Sequence, residues 1–172
     1  MFHILYLFST LLPAPAKVNC TCVPLYDSLG NVIRGNYDLI LKGRVEKIDT
    51  VFYVDEGLVK ANYSTRDSGV YFRALMVTLN VNNYFKCYKA DGKISIITGR
   101  GGGDCGYNFK EDKSYIVYAQ KQPYILIDSF NDENKTSFKS HDEILFETNV
   151  CTGTTDQVTK EEALLKRQFN KK

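Results

Sequence analysis

The sequence predicts a mainly β domain: an antiparallel barrel that is closed or nearly closed, with one short helix at its C-terminal end. Twelve Tyr and ten Phe, with no Trp, favour pleated, half-buried surfaces. Val77, Leu79 and Val81 alternate with polar residues, which is the period of a half-buried strand. Turn residues separate several short runs of this kind, a pattern typical of all-β barrels.

The predicted strands follow one another along the chain. The first covers 39–41 and continues past Gly43, a residue that permits a bulge. The polar stretch 49–69 is predicted to be a projecting hairpin or loop. After this stretch, four further strands are expected around 77–81, 94–97, 115–118 and 124–127.

The last segment changes from strand to helix. Thr159 followed by Glu162 is a capping-box pattern, which predicts a helix start. The apolar stripe that would face the barrel consists of Ala163, Leu164, Leu165 and Phe169. We therefore expect one C-terminal helix on the barrel, ending in the basic residues 170–172.

The chain is long enough for one domain, and its start predicts export. Residues 2–12 are almost wholly apolar, too short to span a bilayer, and precede the small residues Ala14 and Ala16. We predict a signal peptide over 1–16, with 1–19 as the alternative boundary. A buried N-terminal strand is the other interpretation. No later run approaches the roughly 20 apolar residues of a membrane helix, so we expect a secreted, extracellular protein with no membrane span.

The charge and histidine content argue against several functions. The net charge of +2 gives no electrostatic case for nucleic acid. The two histidines, His3 and His141, cannot supply the ligands of a zinc hydrolase. The glycine-rich stretch 99–106 lacks the ending of a phosphate-binding loop, so a tight loop that passes close to a disulfide or a partner fits it better. We expect no catalysis and no cofactor of its own.

Export gives the five cysteines a meaning, because disulfides form and persist outside the cell. An odd number leaves one thiol free or paired between chains. Cys20 and Cys22 are too close in sequence to bond easily to each other, so each is expected to tie the N-terminus to a distant strand. Ordinary stapling of a small secreted domain is the alternative. The sequons at Asn62 and Asn134 are possible glycosylation sites on polar surface stretches.

Four motifs resemble the tissue inhibitors of metalloproteinases, abbreviated TIMP. Cys20-Thr21-Cys22-Val23-Pro24 resembles the mature amino terminus of that family, and Cys105-Gly106-Tyr107 resembles an internal motif. The strand 115–119 and the segment Thr148-Asn149-Val150-Cys151 are similar to the family in the same order. The resemblance implies a netrin-like (NTR) domain over 20–151, a five-stranded OB-fold-like Greek-key barrel, followed by a helical tail over 152–172.

The resemblance also implies disulfides Cys20–Cys105 and Cys22–Cys151, and a mechanism. In the family, the α-amino group and carbonyl oxygen of the first cysteine chelate the catalytic zinc of a secreted metalloprotease, so the metal belongs to the target. Here that cysteine is Cys20. Thr21 would enter the specificity pocket, while Cys22, Val23, Pro24, Gly103 and Asp104 would complete the inhibitory, protease-binding ridge.

The sequence departs from the family in three respects. The best cleavage site, after Ala16, leaves three residues ahead of Cys20 and converts its amine to an amide. The third disulfide of the domain is missing, while Cys87 is extra and unpaired; it could form a disulfide-linked dimer or be buried. A short helix replaces the cysteine-rich C-terminal domain. The predicted function is inhibition of zinc metalloendopeptidases, and the alternative is a non-inhibitory netrin-like module that binds a matrix or receptor partner.

Overall fold

A computed structural model describes residues 37–57, 71–86, 92–130, 136–138 and 145–169. This part of the chain forms seven β-strands and one α-helix. In chain order they are β1 Leu39–Asp55, β2 Phe72–Lys86, β3 Lys93–Thr98, β4 Ser114–Gln122, β5 Tyr124–Phe130, β6 Thr136–Phe138, β7 Leu145–Glu147 and α1 Val158–Phe169. The expectation of a mainly β fold with one short C-terminal helix is confirmed.

Five of these strands close into a ring. β1 pairs with β2, β2 with β3, β3 with β7, β7 with β4, and β4 pairs back with the first half of β1. The pairing of β3 with β7 is parallel, and the other four pairings are antiparallel. β5 pairs with the second half of β1, and β6 continues the sheet beyond β5. A long β1 therefore belongs both to the ring and to its extension.

β1 is longer than the sequence indicated. The register of its pairing with β2 shifts between Lys42 and Gly43, as the glycine suggested. Of the hairpin or loop expected over 49–69, the hairpin is confirmed for the described part: residues 49–55 continue β1, and 49–53 pair antiparallel with β2. The aromatic ring of Tyr53 stacks on that of Phe72 across the strand pair, with centroids 5.4 Å apart, and this contact favours pairing over a loop. The rest of the connection, 58–70, lies outside the described residues.

The sequence did not indicate β6 and β7, because strands of three residues are too short to show a period. β7 nevertheless closes the ring between β3 and β4. Its two buried residues point to opposite faces: Phe146 joins the cluster inside the ring, and Leu145 joins one outside it.

Three hydrophobic clusters hold the fold. The largest takes alternate residues from all five ring strands and so fills the interior of the ring, as the period of two requires. It comprises Leu39, Leu41, Val45, Val77, Leu79, Ile94, Ile96, Phe109, Tyr115, Val117, Ala119 and Phe146. A second cluster lies under α1, and a third lies between the outer face of the ring and β5.

Helix α1 packs on the outside of the ring. Leu165 is fully buried against Tyr37, Ile40 and Ile116. The expected capping box is wrong: Thr159 lies inside the first turn, and Glu162 instead pairs with Lys42 and Lys166 at 2.6 and 2.8 Å. Within the described ranges, no helix is long and apolar enough to cross a membrane.

Candidate functional site

The parallel pairing of β3 and β7 determines where the candidate site lies. Parallel strands end at the same side of a sheet, so the segments that follow them leave the ring together. These are residues 99–106, here called the glycine turn, and 148–155, here called the threonine loop. The Thr148 amide donates to the Ile97 carbonyl, and the Val150 amide donates to the Cys105 carbonyl, both at 2.9 Å. The two segments form one end of the ring.

The glycine turn is closed by backbone contact that no side chain would permit. A Cβ at Gly106 would lie 2.0 Å from the carbonyl oxygen of Gly99, and a Cβ at Gly99 would lie 2.6 Å from Asp104 Cγ. A short 3-10 turn over Gly102–Asp104 follows, and Cys105 adopts a positive φ of 57°. This close passage of the chain agrees with the tight loop that the glycine content indicated.

Asp104 holds the glycine turn together electrostatically. Its carboxylate accepts hydrogen bonds from the backbone amides of Arg100, Gly101 and Gly106, at 2.6, 2.8 and 3.2 Å. Partial burial works to raise the pKa of Asp104, but these N–H groups outweigh it and lower the pKa. The negative charge of Asp104 therefore stabilises the glycine turn.

Buried hydroxyl groups fix the threonine loop. Thr148, Thr152 and Thr154 are buried, and Thr148 Oγ1 lies 2.7 Å from each of the other two hydroxyl oxygens. Thr148 Oγ1 also donates to the carbonyl of Tyr118 at 2.8 Å, and the Tyr118 amide donates to Thr154 Oγ1 at 3.1 Å. A mutually satisfied network of this kind favours a single conformation.

Tyr118 joins this end of the ring to helix α1. Its backbone amide and carbonyl form hydrogen bonds with the threonine loop. Its buried hydroxyl donates to the carboxylate of Glu161 in the first turn of α1. The ring of Tyr118 also contacts that of Tyr37 edge to face, with centroids 5.2 Å apart. The helix and the threonine loop are thus held by the same residue.

Two cysteines lie side by side within this arrangement. Cys105 ends the 3-10 turn, and Cys151 follows Val150, whose amide is bonded to Cys105. Both cysteines are disulfide-bonded. In each predicted pair, Cys20–Cys105 and Cys22–Cys151, the first member lies outside the described residues.

The structure describes part of the predicted ridge. Gly103 and Asp104 are exposed beside Cys105. Val150, between the two cysteines, is 45% exposed although apolar. The remaining candidates lie outside the described residues: Cys20, Thr21, Cys22, Val23, Pro24, Cys87, Asn62 and Asn134.

Sequence reasoning missed the buried threonines that hold the loop next to the ridge. The threonines were visible as part of the motif around Cys151, but their burial depends on contact with β4, which is distant in sequence. The only available signal was their spacing, since Thr148, Thr152 and Thr154 fall on both sides of a cysteine expected to be bonded.

No potential metal site, meaning three or more His, Cys, Asp or Glu side chains gathered together, is present in the described part of the chain. Comparison with models of known protein families gives no match, and a search of curated proteins gives none either.

Proposed function

We propose that this chain is a secreted inhibitor of zinc metalloendopeptidases, built on a netrin-like, OB-type barrel, and that it acts through Cys20. The observation that carries the proposal is the adjacency of two disulfide-bonded cysteines, Cys105 and Cys151, at one end of a five-stranded ring. Disulfide bonds from Cys105 to Cys20 and from Cys151 to Cys22 would hold the amino-terminal segment rigidly at this end of the ring, as an exposed edge.

The rigidity of this end supports an inhibitory role. The glycine turn is fixed by the Asp104 carboxylate and the threonine loop by buried hydroxyls. An edge held in its binding conformation before contact loses less conformational entropy when it enters a protease cleft. The exposed residues beside it, Gly103, Asp104 and Val150, would then lie next to the cleft.

The proposed chemistry needs a free amine at Cys20. An α-amino group has a pKa of about 8, so it can give up its proton to a metal near neutral pH. Together with the Cys20 carbonyl oxygen, the nitrogen would bind the zinc of the protease in the position of the attacking water. Thr21 would enter the adjoining specificity pocket.

Mass spectrometry of the secreted, unreduced chain tests the first requirement. If the measured mass corresponds to a chain that begins at Cys20, its α-amino group is free to bind zinc. A mass that corresponds to a chain beginning at Lys17 contradicts the zinc-binding mechanism. The same spectrum after digestion tests the pairs Cys20–Cys105 and Cys22–Cys151.

Inhibition is then measured on the catalytic domain of a secreted zinc metalloendopeptidase with a fluorogenic peptide. A chain that begins at Cys20 is compared with one that carries an added alanine before it, and with Thr21→Gly. We expect both changes to weaken inhibition by at least about 100-fold, because each removes a contact at the metal or its pocket. Asp112→Asn, a change at an exposed residue of another turn, is the matched control and should inhibit like the parent. Equal inhibition by the alanine-extended chain would rule out chelation.

A second candidate is the non-inhibitory netrin-like binding module. One prediction and one observation favour it. The predicted cleavage after Ala16 would block the Cys20 amine, and the aromatic side chains of Tyr71, just before β2, and Phe72, at its start, are 39% and 50% exposed. A chain that begins at Lys17 and binds a partner without inhibiting any metalloprotease would favour this function.

A further inference from the structure

The outer face of β1, β2 and β5 carries three aromatic rings in contact, which we call the aromatic patch: Tyr53, Phe72 and Tyr124. The centroids of Tyr53 and Tyr124 are 4.4 Å apart, and those of Tyr53 and Phe72 are 5.4 Å apart with nearly parallel planes. Phe72 is 50% exposed. Large rings in contact at a sheet surface, with one of them half exposed, form an apolar surface available to a partner.

Two carboxylates from two different strands adjoin the aromatic patch. Asp55 belongs to β1 and lies directly opposite Tyr124 in the pairing with β5. Glu147 ends β7 and accepts a hydrogen bond from the Tyr124 hydroxyl at 3.2 Å.

Among the described residues, no lysine or arginine forms an ion pair with either carboxylate; the ion pairs there use other carboxylates. Burial first and then the charge of Glu147 raise the pKa values of both Tyr53 and Tyr124. The patch thus combines aromatic faces with a negative potential.

We propose that the aromatic patch and its two carboxylates, Asp55 and Glu147, bind an arginine side chain from a basic segment of a partner protein. The negative face of an aromatic ring attracts a cation, and the planar guanidinium stacks on rings while its five N–H donors reach carboxylates. A lysine ammonium lacks both the plane and the fork. The apolar surface explains the stacking, and the two carboxylates, which form no ion pair within the described residues, explain why the ligand must be cationic.

This inference goes beyond the proposed function, since it needs neither zinc nor a free amine at Cys20. The Cys20 edge and the aromatic patch are therefore tested separately.

The probe is a blocked peptide with three arginines separated by glycines, titrated into the full secreted chain and followed by NMR. We expect saturable shifts of the ring signals of Tyr53, Phe72 and Tyr124. The same peptide with citrulline, which keeps the shape of arginine but is neutral, should bind at least about tenfold more weakly. The lysine peptide should bind about threefold more weakly.

Two variants locate the site. Glu147→Gln keeps the size of the side chain and should weaken the arginine peptide about fivefold, and Phe72→Ala should weaken it about threefold. Phe72 is half exposed, so its loss leaves the core intact. Asp112→Asn, which removes an equally negative exposed group on another turn, should bind the peptide like the parent.

Several results would overturn the proposal. Shifts that do not saturate, equal binding of the citrulline peptide, or unchanged binding by Glu147→Gln would each show that the patch does not recognise a cation. Equal binding of the lysine peptide would overturn the assignment to arginine.

Discussion

The glycine turn and the aromatic patch each have a carboxylate at the same end of the ring, but the two surroundings shift the pKa of that carboxylate in opposite directions. In the turn, backbone amides surround Asp104 and lower its pKa despite partial burial. In the patch, burial raises the pKa of Glu147, and one tyrosine hydroxyl only partly offsets this. The charge of Asp104 stabilises the fold, and the charge of Glu147 lowers its stability.

The difference indicates which charge is available to a partner. Asp104 already accepts three backbone hydrogen bonds, so its negative charge is largely used within the turn. Glu147 has one neutral donor and no ion pair in the described part of the chain. A charge that the fold does not need is a better candidate for recognition than one on which the fold depends.

The largest expected effect comes from opening the glycine turn. In Gly106→Ala the new methyl group would lie 2.0 Å from the Gly99 carbonyl oxygen, a backbone atom that cannot move aside alone. We expect the free energy of unfolding to fall by about 3 kcal/mol, as in an overpacked site. Chemical denaturation with intact disulfides measures it.

Gly92→Ala is the matched control for that change. Gly92, unlike Gly106, has a positive φ, of 64°, and a Cβ there would meet open space. It should cost only about 1 kcal/mol, the conformational term alone. Equal costs at Gly106 and Gly92 would show that close backbone passage is not what holds the turn.

Removing the charge from the turn is expected to have the next largest effect. Asp104→Ala leaves three amides without their acceptor and should cost about 1 kcal/mol, since solvent compensates part of the loss. Because the folded-state pKa of Asp104 is lowered, its contribution is present above the unfolded-state pKa and is lost as the pH falls through the folded-state pKa.

Melting of the parent and Asp104→Ala between pH 7 and pH 2 measures this dependence. The two curves should converge only in strong acid, below the ordinary aspartate pKa of 3.8. A difference in melting temperature that stays constant over the whole range would mean that the side chain, and not its charge, supports the turn.

Neutralising Glu147 should have a smaller effect of opposite sign. Because burial raises its folded-state pKa, stability is greatest below the unfolded-state pKa and is lost as the pH rises through the folded-state pKa. Glu147→Gln should therefore melt at a higher temperature than the parent at pH 7. The gain should disappear below the ordinary glutamate pKa of 4.5. A variant that melts lower at pH 7 would contradict the contrast with Asp104.

The sequence predicted one side of this contrast better than the other. The glycine turn was visible because Gly99, Gly106 and Asp104 are neighbours in sequence, so their constraint is local. The strands around Val77 and Val117 were visible because the ring interior imposes a period of two on them.

The aromatic patch was not visible in the sequence. Glu147 meets Tyr124 because β7 closes the ring next to β4, while β5 pairs with the far half of β1. Tyr53 reaches both only because β1 continues into the stretch for which the sequence left hairpin and loop open. Such contacts depend on pairings between distant segments, and no local pattern encodes them.

The smallest expected change isolates the one hydrogen bond that Glu147 receives. Tyr124→Phe removes the hydroxyl donor but keeps the ring that contacts Tyr53. Since that hydrogen bond lowers the pKa of Glu147, its loss should raise the pKa further. The free energy of unfolding should change by no more than about 1 kcal/mol. Carbon-13 NMR titration of the Glu147 carboxyl measures the pKa directly, with Tyr71→Phe, a change at an exposed tyrosine just before β2, as the control. An unchanged pKa in Tyr124→Phe would mean that burial alone determines the charge of Glu147 and that the hydroxyl does not orient it towards the patch.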